Sequence, residues 1–250
     1  MNPFKRDLGR RQQLGLFSTL ASTELVELFS GCGFDWILID TEHSPNELPN
    51  VISQLRALNG TGVSPIVRPA WSDMVLVKRV LDAGARSLLF PYVQSAEEAA
   101  LAVSYTRYPP QGVRGVSGAS RAARYGLDTG YLRGAADDIC VLVQIENEAG
   151  LRNLEAIAAV EGVDGVFIGP SDLAASLGHL GNAQHPEVQA AIDDAFRRLR
   201  AVGKPCGYLT TNEAEAARRV AEGVDFIAVA TDTSIITRAA SALTQRMRQG

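Results

Sequence analysis

The chain has 250 residues, 46% of them apolar and 21% charged, with a formal net charge of −4. Such a composition can bury a substantial core in one α/β domain spanning residues 1–250, and its Lys and Arg residues are too dispersed to form the basic stripe that a phosphate backbone needs. Nucleic acid is thereby excluded as an expected partner; the absence of a long apolar run, and of a signal-peptide pattern in MNPFKRDLGRRQQLGLF, excludes a membrane span and points to a soluble, cytoplasmic protein.

In chain order, QLGLFST reads as a strand and STELVELFSGCG as a helix, then FDWILID and NELPNVISQLRALNG, SPIVRPA and DMVLVKRVLDAGA, RSLLFPYV and SAEEAALAVSYTRY. After an irregular stretch come ICVLVQIE with GLRNLEAIAAVEG, DGVFIGP with HPEVQAAIDDAFRRLRAVG, KPCGYLT with NEAEAARRVAEG, and DFIAVAT with DTSIITRAASALTQRMR. Strands alternating with helices predict a parallel sheet, and eight such units at this length predict closure into a single (β/α)8 TIM barrel. Ser22, Asn46, Ser72, Ser95 and Thr211 or Asn212 are the expected helix N-caps. Cys32, Cys140 and Cys206 are odd in number and widely separated, so they are expected to be buried small apolar residues and not a disulfide or zinc framework. The irregular stretch, about Tyr108 to Asp138, is too long and Gly-rich for a simple link. It reads either as an excursion over the active site, offering Arg114, Arg121 and Arg124 to an acid, or as an exposed and merely variable loop.

In a parallel barrel the chemistry sits at the C-terminal ends of the strands. The polar residues found there are Asp40, Glu42 and His43 after WILI, Arg68 after PIV, Gln144 and Glu146 in VLVQIE, and Ser171 and Asp172 after VFIGP. Glu146 and Asp172 are hard oxygen donors with no Cys or His beside them in a zinc-like spacing, which favours Mg2+ or Mn2+; the opposing reading makes them acids that cap loops or pair with Arg. Ser171 and Asp172 open a short helix whose free N–H groups suit a carboxylate. A buried Arg68 needs an anion, either a developing enolate oxygen or a structural partner in Asp40 or Glu42. His43 is the only histidine at a strand end and the natural general acid/base; His179 and His185 read as ordinary surface or packing residues. Lys5, Lys78 and Lys204 all miss the strand ends, so imine chemistry is not expected, and the last two strands lack the glycine-rich turns of a barrel phosphate site.

The segments IDTEHSP, PIVRPAW, VLVQIE and VDGVFIGPSDLAASLGHLGN resemble the metal-dependent, pyruvate-specific class II aldolases that cleave 4-hydroxy-2-oxo acids, including the hydroxy ketoacid aldolases. The similarity runs over nearly the whole chain, and RGVSGASRAARYG resembles the branch acting on 2-keto-3-deoxy sugar diacids. The resemblance implies reversible retro-aldol cleavage to pyruvate and an aldehyde, with hydroxypyruvate as a further donor. It implies Mg2+ or Mn2+, or another divalent ion such as Co2+, held by Glu146 and Asp172, and a substrate carboxylate on the turn Gly169, Pro170, Ser171 and Asp172. Arg68 would stabilise the enolate oxygen, His43 would move protons through water, and Gln144 would position substrate. Asp82 would support the histidine from its own or a neighbouring subunit. Phe17, where relatives often carry Trp, and Leu209 would shape the acceptor pocket. The expected assembly is a homo-oligomer, a hexamer built as a trimer of dimers, with the terminal helix packed on a neighbour. The alternatives are a CoA-linked hydroxy-acid lyase or thioesterase, which would need a basic groove not evident in the chain, and a non-catalytic sugar-acid-binding barrel.

Overall fold

A computed structural model describes residues 1–249. Its strands are β1 (Gln13–Ser18), β2 (Trp36–Asp40), β3 (Ser64–Arg68), β4 (Ser87–Phe90), β5 (Cys140–Ile145), β6 (Gly165–Ile168), β7 (Cys206–Leu209) and β8 (Phe226–Thr231). All pair in parallel in chain order, and β8 returns to β1, closing the barrel. Its α-helices are α1 (Pro3–Asp7), α2 (Thr23–Ser30), α3 (Leu48–Ala57), α4 (Met74–Asp82), α5 (Ala96–Tyr105), α6 (Tyr131–Asp138), α7 (Glu148–Arg152), α8 (Leu154–Ala158), α9 (Pro170–Ser176), α10 (Pro186–Ala201), α11 (Glu213–Ala221) and α12 (Asp232–Gln249). The eight strands read from the sequence are all present.

Side chains alternate across each strand, so the barrel has two cores. Ile37, Ile39, Val67, Val141, Val143, Val166 and Ile168 face outward and pack under the helices. Trp36, Leu38, Ile66, Leu142, Phe167 and Phe226 fill the interior. Near the strand starts the interior is closed by Phe4 of α1, Trp36 and Phe226, whose rings meet edge-on with centroids 5.6 to 6.3 Å apart. Such pairs contribute about 0.5–1.5 kcal/mol beyond the area they bury. Gly15 makes room for this floor, because a Cβ there would sit 2.1 Å from the Trp36 ring.

Ser22, Ser95 and Asn212 cap their helices as expected. Two expected caps are displaced: Glu47, in a capping box with Asn50, replaces Asn46, and Asp73 replaces Ser72. Asn46 faces inward and its side chain donates to the Asp40 carbonyl at 2.8 Å. Cys140 and Cys206 are buried, but Cys32 is exposed.

The long connection does not cover the mouth of its own barrel. It links the end of α5 to the start of β5, and helix-to-strand links lie at the N-terminal ends of strands, opposite the chemistry. It holds a short 3-10 turn at Arg124–Gly126 and α6, and it borders a cavity of about 810 Å³ beside Arg86. Arg114 is fully buried there, its guanidinium 4.6 Å from the Tyr108 ring centre and its Nη2 2.8 Å from Asp82 Oδ1. Arg121 donates to the Ala83 carbonyl at 2.8 Å.

Candidate active site

The inward register that builds the aromatic floor continues upward to the mouth. Two residues beyond each apolar rung, Asp40 follows Leu38, Arg68 follows Ile66, and Gln144 follows Leu142, so strand periodicity alone points these three side chains into the barrel. Asp40 and Arg68 are register partners on β2 and β3. Asp40 takes the guanidinium in a fork, from Nε at 2.8 Å and from Nη2 at 2.7 Å. Nη1 lies 2.9 Å from Glu42 Oε2, and the guanidinium carbon sits 5.4 Å above the Phe17 ring. Arg68 is 6% exposed, so the structural ion pair weighed from the sequence exists, with both candidate partners engaged. Asp40 occupies two of the three guanidinium nitrogens, which leaves the Nη1 edge toward Glu42 as the part able to meet a further anion.

Glu146 follows β5 and is 2% exposed. The Tyr92 N–H donates to its Oε1 at 2.7 Å, and Gln144 Nε2 donates to its Oε2. Tyr92 reaches this position with φ at +57°, a left-handed conformation that non-glycine residues adopt at a cost of about 1–3 kcal/mol. Burial pushes the Glu146 carboxyl up to about 7, with the charges of Glu42 and Asp172 pushing the same way against the Gln144 hydrogen bond. Burial also lifts Glu42 to about 6, opposed by Arg68 and aided by Asp40 and Asp172. Asp172 lies exposed in the first turn of α9, which Gly169 begins and Pro170 opens, with Ser171 exposed beside it. Gly169 is needed for this packing: a Cβ there would stand 2.7 Å from Glu146 Oε2 and 3.0 Å from Gln144 Nε2.

Two carboxyls, the half-buried Glu42 and the buried Glu146, facing the exposed Asp172 repel one another unless a cation joins them. Gln144 Oε1 is buried without a hydrogen-bond partner, and Glu42 Oε2 has the Arg68 ion pair but no aligned hydrogen bond. An unpartnered amide oxygen beside the carboxylate oxygens of Glu146 and Asp172 fits a hard divalent cation such as Mg2+ or Mn2+.

His43 stands at the rim, its side chain 64% exposed and its Nε2 3.8 Å from Glu42 Oε2. Its loop is anchored from below: Ser44 Oγ donates to the Asp40 carbonyl, Gln54 Nε2 to Asn46 Oδ1 at 2.6 Å, and Ser18 Oγ to Gln54 Oε1 at 3.0 Å. Phe17, packed against Phe167 at 5.9 Å, and the half-buried Leu209 form apolar walls against the interior core. The barrel therefore brings Arg68, Gln144, Glu146, Phe17 and Leu209 together with α9 and His43 at one end. It does not bring Asp82, which ends α4 at the opposite face and pairs with Arg114. Sequence reading gave Glu42 only the role of a structural partner for Arg68 and did not place it in the acid cluster, although its place between Asp40 and His43 was a signal. Tyr92 was missed because it acts through its main chain, which leaves no mark on residue type.

A family model described as HpcH/HpaI aldolase/citrate lyase matches residues 13–239. A pyruvate aldolase from Rhizobium etli is 52% identical over 247 residues, covering 98% of this chain and 97% of that protein. A 4-hydroxy-2-oxo-heptane-1,7-dioate aldolase from Klebsiella pneumoniae is also 52% identical, covering 98% of this chain and 93% of its own. The crystal structure of an HpcH/HpaI aldolase/citrate lyase family protein from Burkholderia cenocepacia superimposes with a TM-score of 0.96 at 39% identity, covering 99% of this chain and all of that one.

Proposed function

Because the chain belongs to the HpcH/HpaI aldolase/citrate lyase family, we propose that it is a divalent-metal-dependent aldolase that cleaves a 4-hydroxy-2-oxo acid to pyruvate and an aldehyde, and runs the reverse addition. The observation that supports this most is the cluster of Glu146, Glu42 and Asp172 in mutual electrostatic reach, with the Arg68 guanidinium against Glu42. Glu146 and Asp172 would hold the cation, Mg2+ or Mn2+ suiting this donor set, and it would supply positive charge to polarise the substrate keto group.

The residues of the chain do the rest. Ser171 and Asp172 offer first-turn N–H groups of α9 to the carboxylate of the oxo acid. Arg68 Nη1 faces the oxygen on which negative charge develops as the C3–C4 bond breaks, and Asp40 holds the guanidinium so that little reorganisation is needed then. His43 Nε2, at the rim, takes the C4 hydroxyl proton directly or through one water. Gln144 fixes the Glu146 carboxylate, while Phe17 and Leu209 keep water from the enolate carbon and limit the aldehyde. Hydroxypyruvate differs from pyruvate only at the enolising carbon and is the natural second donor.

A sugar-acid substrate is the finer part of the proposal and rests on RGVSGASRAARYG, which lies on the far face of its own barrel. A homo-oligomer, a hexamer in the fullest form, is supported by α12, which exposes Ile236, Leu243 and Met247 and buries only Asp232. In such an assembly Asp82 serves a neighbour's histidine. Among the described residues no helix is long and apolar enough to cross a membrane, and a cytoplasmic location is part of the same reading.

The test is exchange of the pyruvate methyl protons in D2O, followed by NMR with EDTA and then with Mg2+ or Mn2+. Exchange that requires the metal is expected. No exchange under either condition in folded protein refutes the aldolase reading.

A further inference from the structure

The connection between α9 and α10 carries a side-chain cluster that the aldol chemistry leaves unused. His179 Nε2 lies 2.8 Å from Glu187 Oε2, and the His179 and His185 rings are stacked, with centroids 3.5 Å apart and planes 16° apart. One donor atom from each of the three residues falls within 4.8 Å of the others. We propose that His179, His185 and Glu187 form a second cation site, suited to a borderline divalent ion such as Zn2+, Co2+ or Ni2+.

The backbone beneath the cluster is already fixed. His179 N–H closes the end of α9 on the Ala174 carbonyl at 2.7 Å, Asn182 N–H bonds the His179 carbonyl at 2.9 Å, and His185 N–H bonds the Asn182 carbonyl at 3.0 Å. These successive turns set the two histidines side by side. Gln189 Nε2 holds the Ala183 carbonyl at 2.8 Å, and Gln184 Nε2 holds Glu215 Oε2 at 2.6 Å, pinning the loop to α10 and α11. A site on such anchored backbone spends little ordering entropy when it closes on an ion.

Two imidazole nitrogens and one carboxylate oxygen are the donor set of many open zinc sites, with about 2.0–2.1 Å to each atom and a fourth position for water. Tetrahedral bonds of that length place donors about 3.3 Å apart, so the present spacing must contract by roughly 1.5 Å at most. The rings must also fan apart, since stacked planes aim their lone pairs in parallel. Rotation about the broad histidine χ2 torsion and movement of the Glu187 side chain, which is 63% exposed, supply both adjustments. The contacts given up are the His179 Nε2–Glu187 Oε2 bond at 2.8 Å, which the ion replaces, and the long cap from Glu187 N–H to His185 Nδ1 at 3.3 Å.

The site contrasts with the oxygen-only donors at the mouth, so the two sort ions by hardness. It also has a place to act. His179 closes the C-terminal end of α9, and Asp172 sits in the first turn of that same helix, about 10 Å away at ~1.5 Å per residue. An ion there braces the far end of the helix that carries Asp172.

The proposal is independent of the aldolase reading and is tested without turnover. Tag-free protein carrying Glu146→Gln and Asp172→Asn is stripped with EDTA, dialysed and titrated with Co2+ in excess Mg2+. One Co2+ per chain is expected, with visible absorption of a four- or five-coordinate ion and a raised melting temperature. Adding His179→Gln should weaken binding at least tenfold. His185→Asn, which keeps a helix-capping side chain, should do the same with an unchanged circular dichroism spectrum, and it decides the matter if His179→Gln unfolds. Full-affinity binding in the His185→Asn protein, or no cobalt bound at millimolar concentration before either histidine is changed, overturns the proposal.

Discussion

Gly169→Ala is the sharpest single test of how the acid cluster is built. Gly169 has φ −88° and ψ 101°, ordinary backbone for any residue, so an added methyl carries no torsional strain and acts only through contact. That methyl would stand 2.7 Å from Glu146 Oε2, 2.9 Å from Glu146 Cβ and 3.0 Å from Gln144 Nε2. A comfortable contact lies near ~3.5 Å, so each neighbour must retreat by about half an ångström or more. The carboxylate oxygen can swing; Glu146 Cβ cannot, because it rides on the backbone that follows β5. The expected stability loss is about 1–3 kcal/mol, the usual range for overpacking. The functional loss should be larger, since misplacement of a reacting group by ~1 Å costs on the order of 100-fold. Metal-dependent exchange of pyruvate protons measures the second quantity, Mn2+ titration followed by electron paramagnetic resonance measures the affinity, and thermal denaturation measures the first. Exchange rate and Mn2+ affinity both within twofold of the parent, in folded protein, would refute the claim that Gly169 exists to admit Glu146.

Two further outcomes follow from burial and charge. Arg68→Met strands Asp40, which is 1% exposed, and should cost about 3–5 kcal/mol, lowering the melting temperature by on the order of 10 °C; a drop under about 2 °C would mean that the fork contributes nothing. In metal-free protein, Glu146 at about 7 holds its proton more tightly folded than unfolded, where the ordinary value is 4.5. Stability attributable to this group therefore falls as pH rises from about 4.5 to about 7 and is flat above, so Glu146→Gln should be more stable than the parent by a few kcal/mol at pH 8 and lose that advantage by pH 4. Urea denaturation in EDTA at the two values checks it, and an advantage independent of pH would disprove it.

The sequence was most readable where periodicity decides the structure. Every strand was legible because β-branched and apolar runs had the right length, and Asp40, Arg68 and Gln144 could be placed inside the barrel because each lies two residues past an apolar rung. What escaped was set by contacts with no local signature. Asn46 looked like a helix cap, yet the buried Asp40 carbonyl and Gln54 compete for it more strongly than the helix end does. The arginines of the long connection looked available for a substrate, but the connection's direction of travel, from α5 to β5, carries Arg114 to Asp82 at the other face. Asp82 and His43 could be related by family resemblance but by nothing in one chain's geometry.

The aromatic floor has a kinetic meaning. With Phe4, Trp36, Phe167 and Phe226 sealing the barrel beneath the acids, the interior is a cul-de-sac, and whatever reaches Glu146 enters and leaves by the end where His43 stands. Two fragments sharing one doorway cannot leave in arbitrary sequence. In the proposed cleavage the oxo-acid fragment lies deeper, so the aldehyde leaves first and the enolate waits behind it for its proton. In the reverse direction the donor is seated before the acceptor arrives, and the incoming aldehyde closes the way out. Ordered traffic is thus imposed by the packing of four aromatic side chains, none of which touches the reaction.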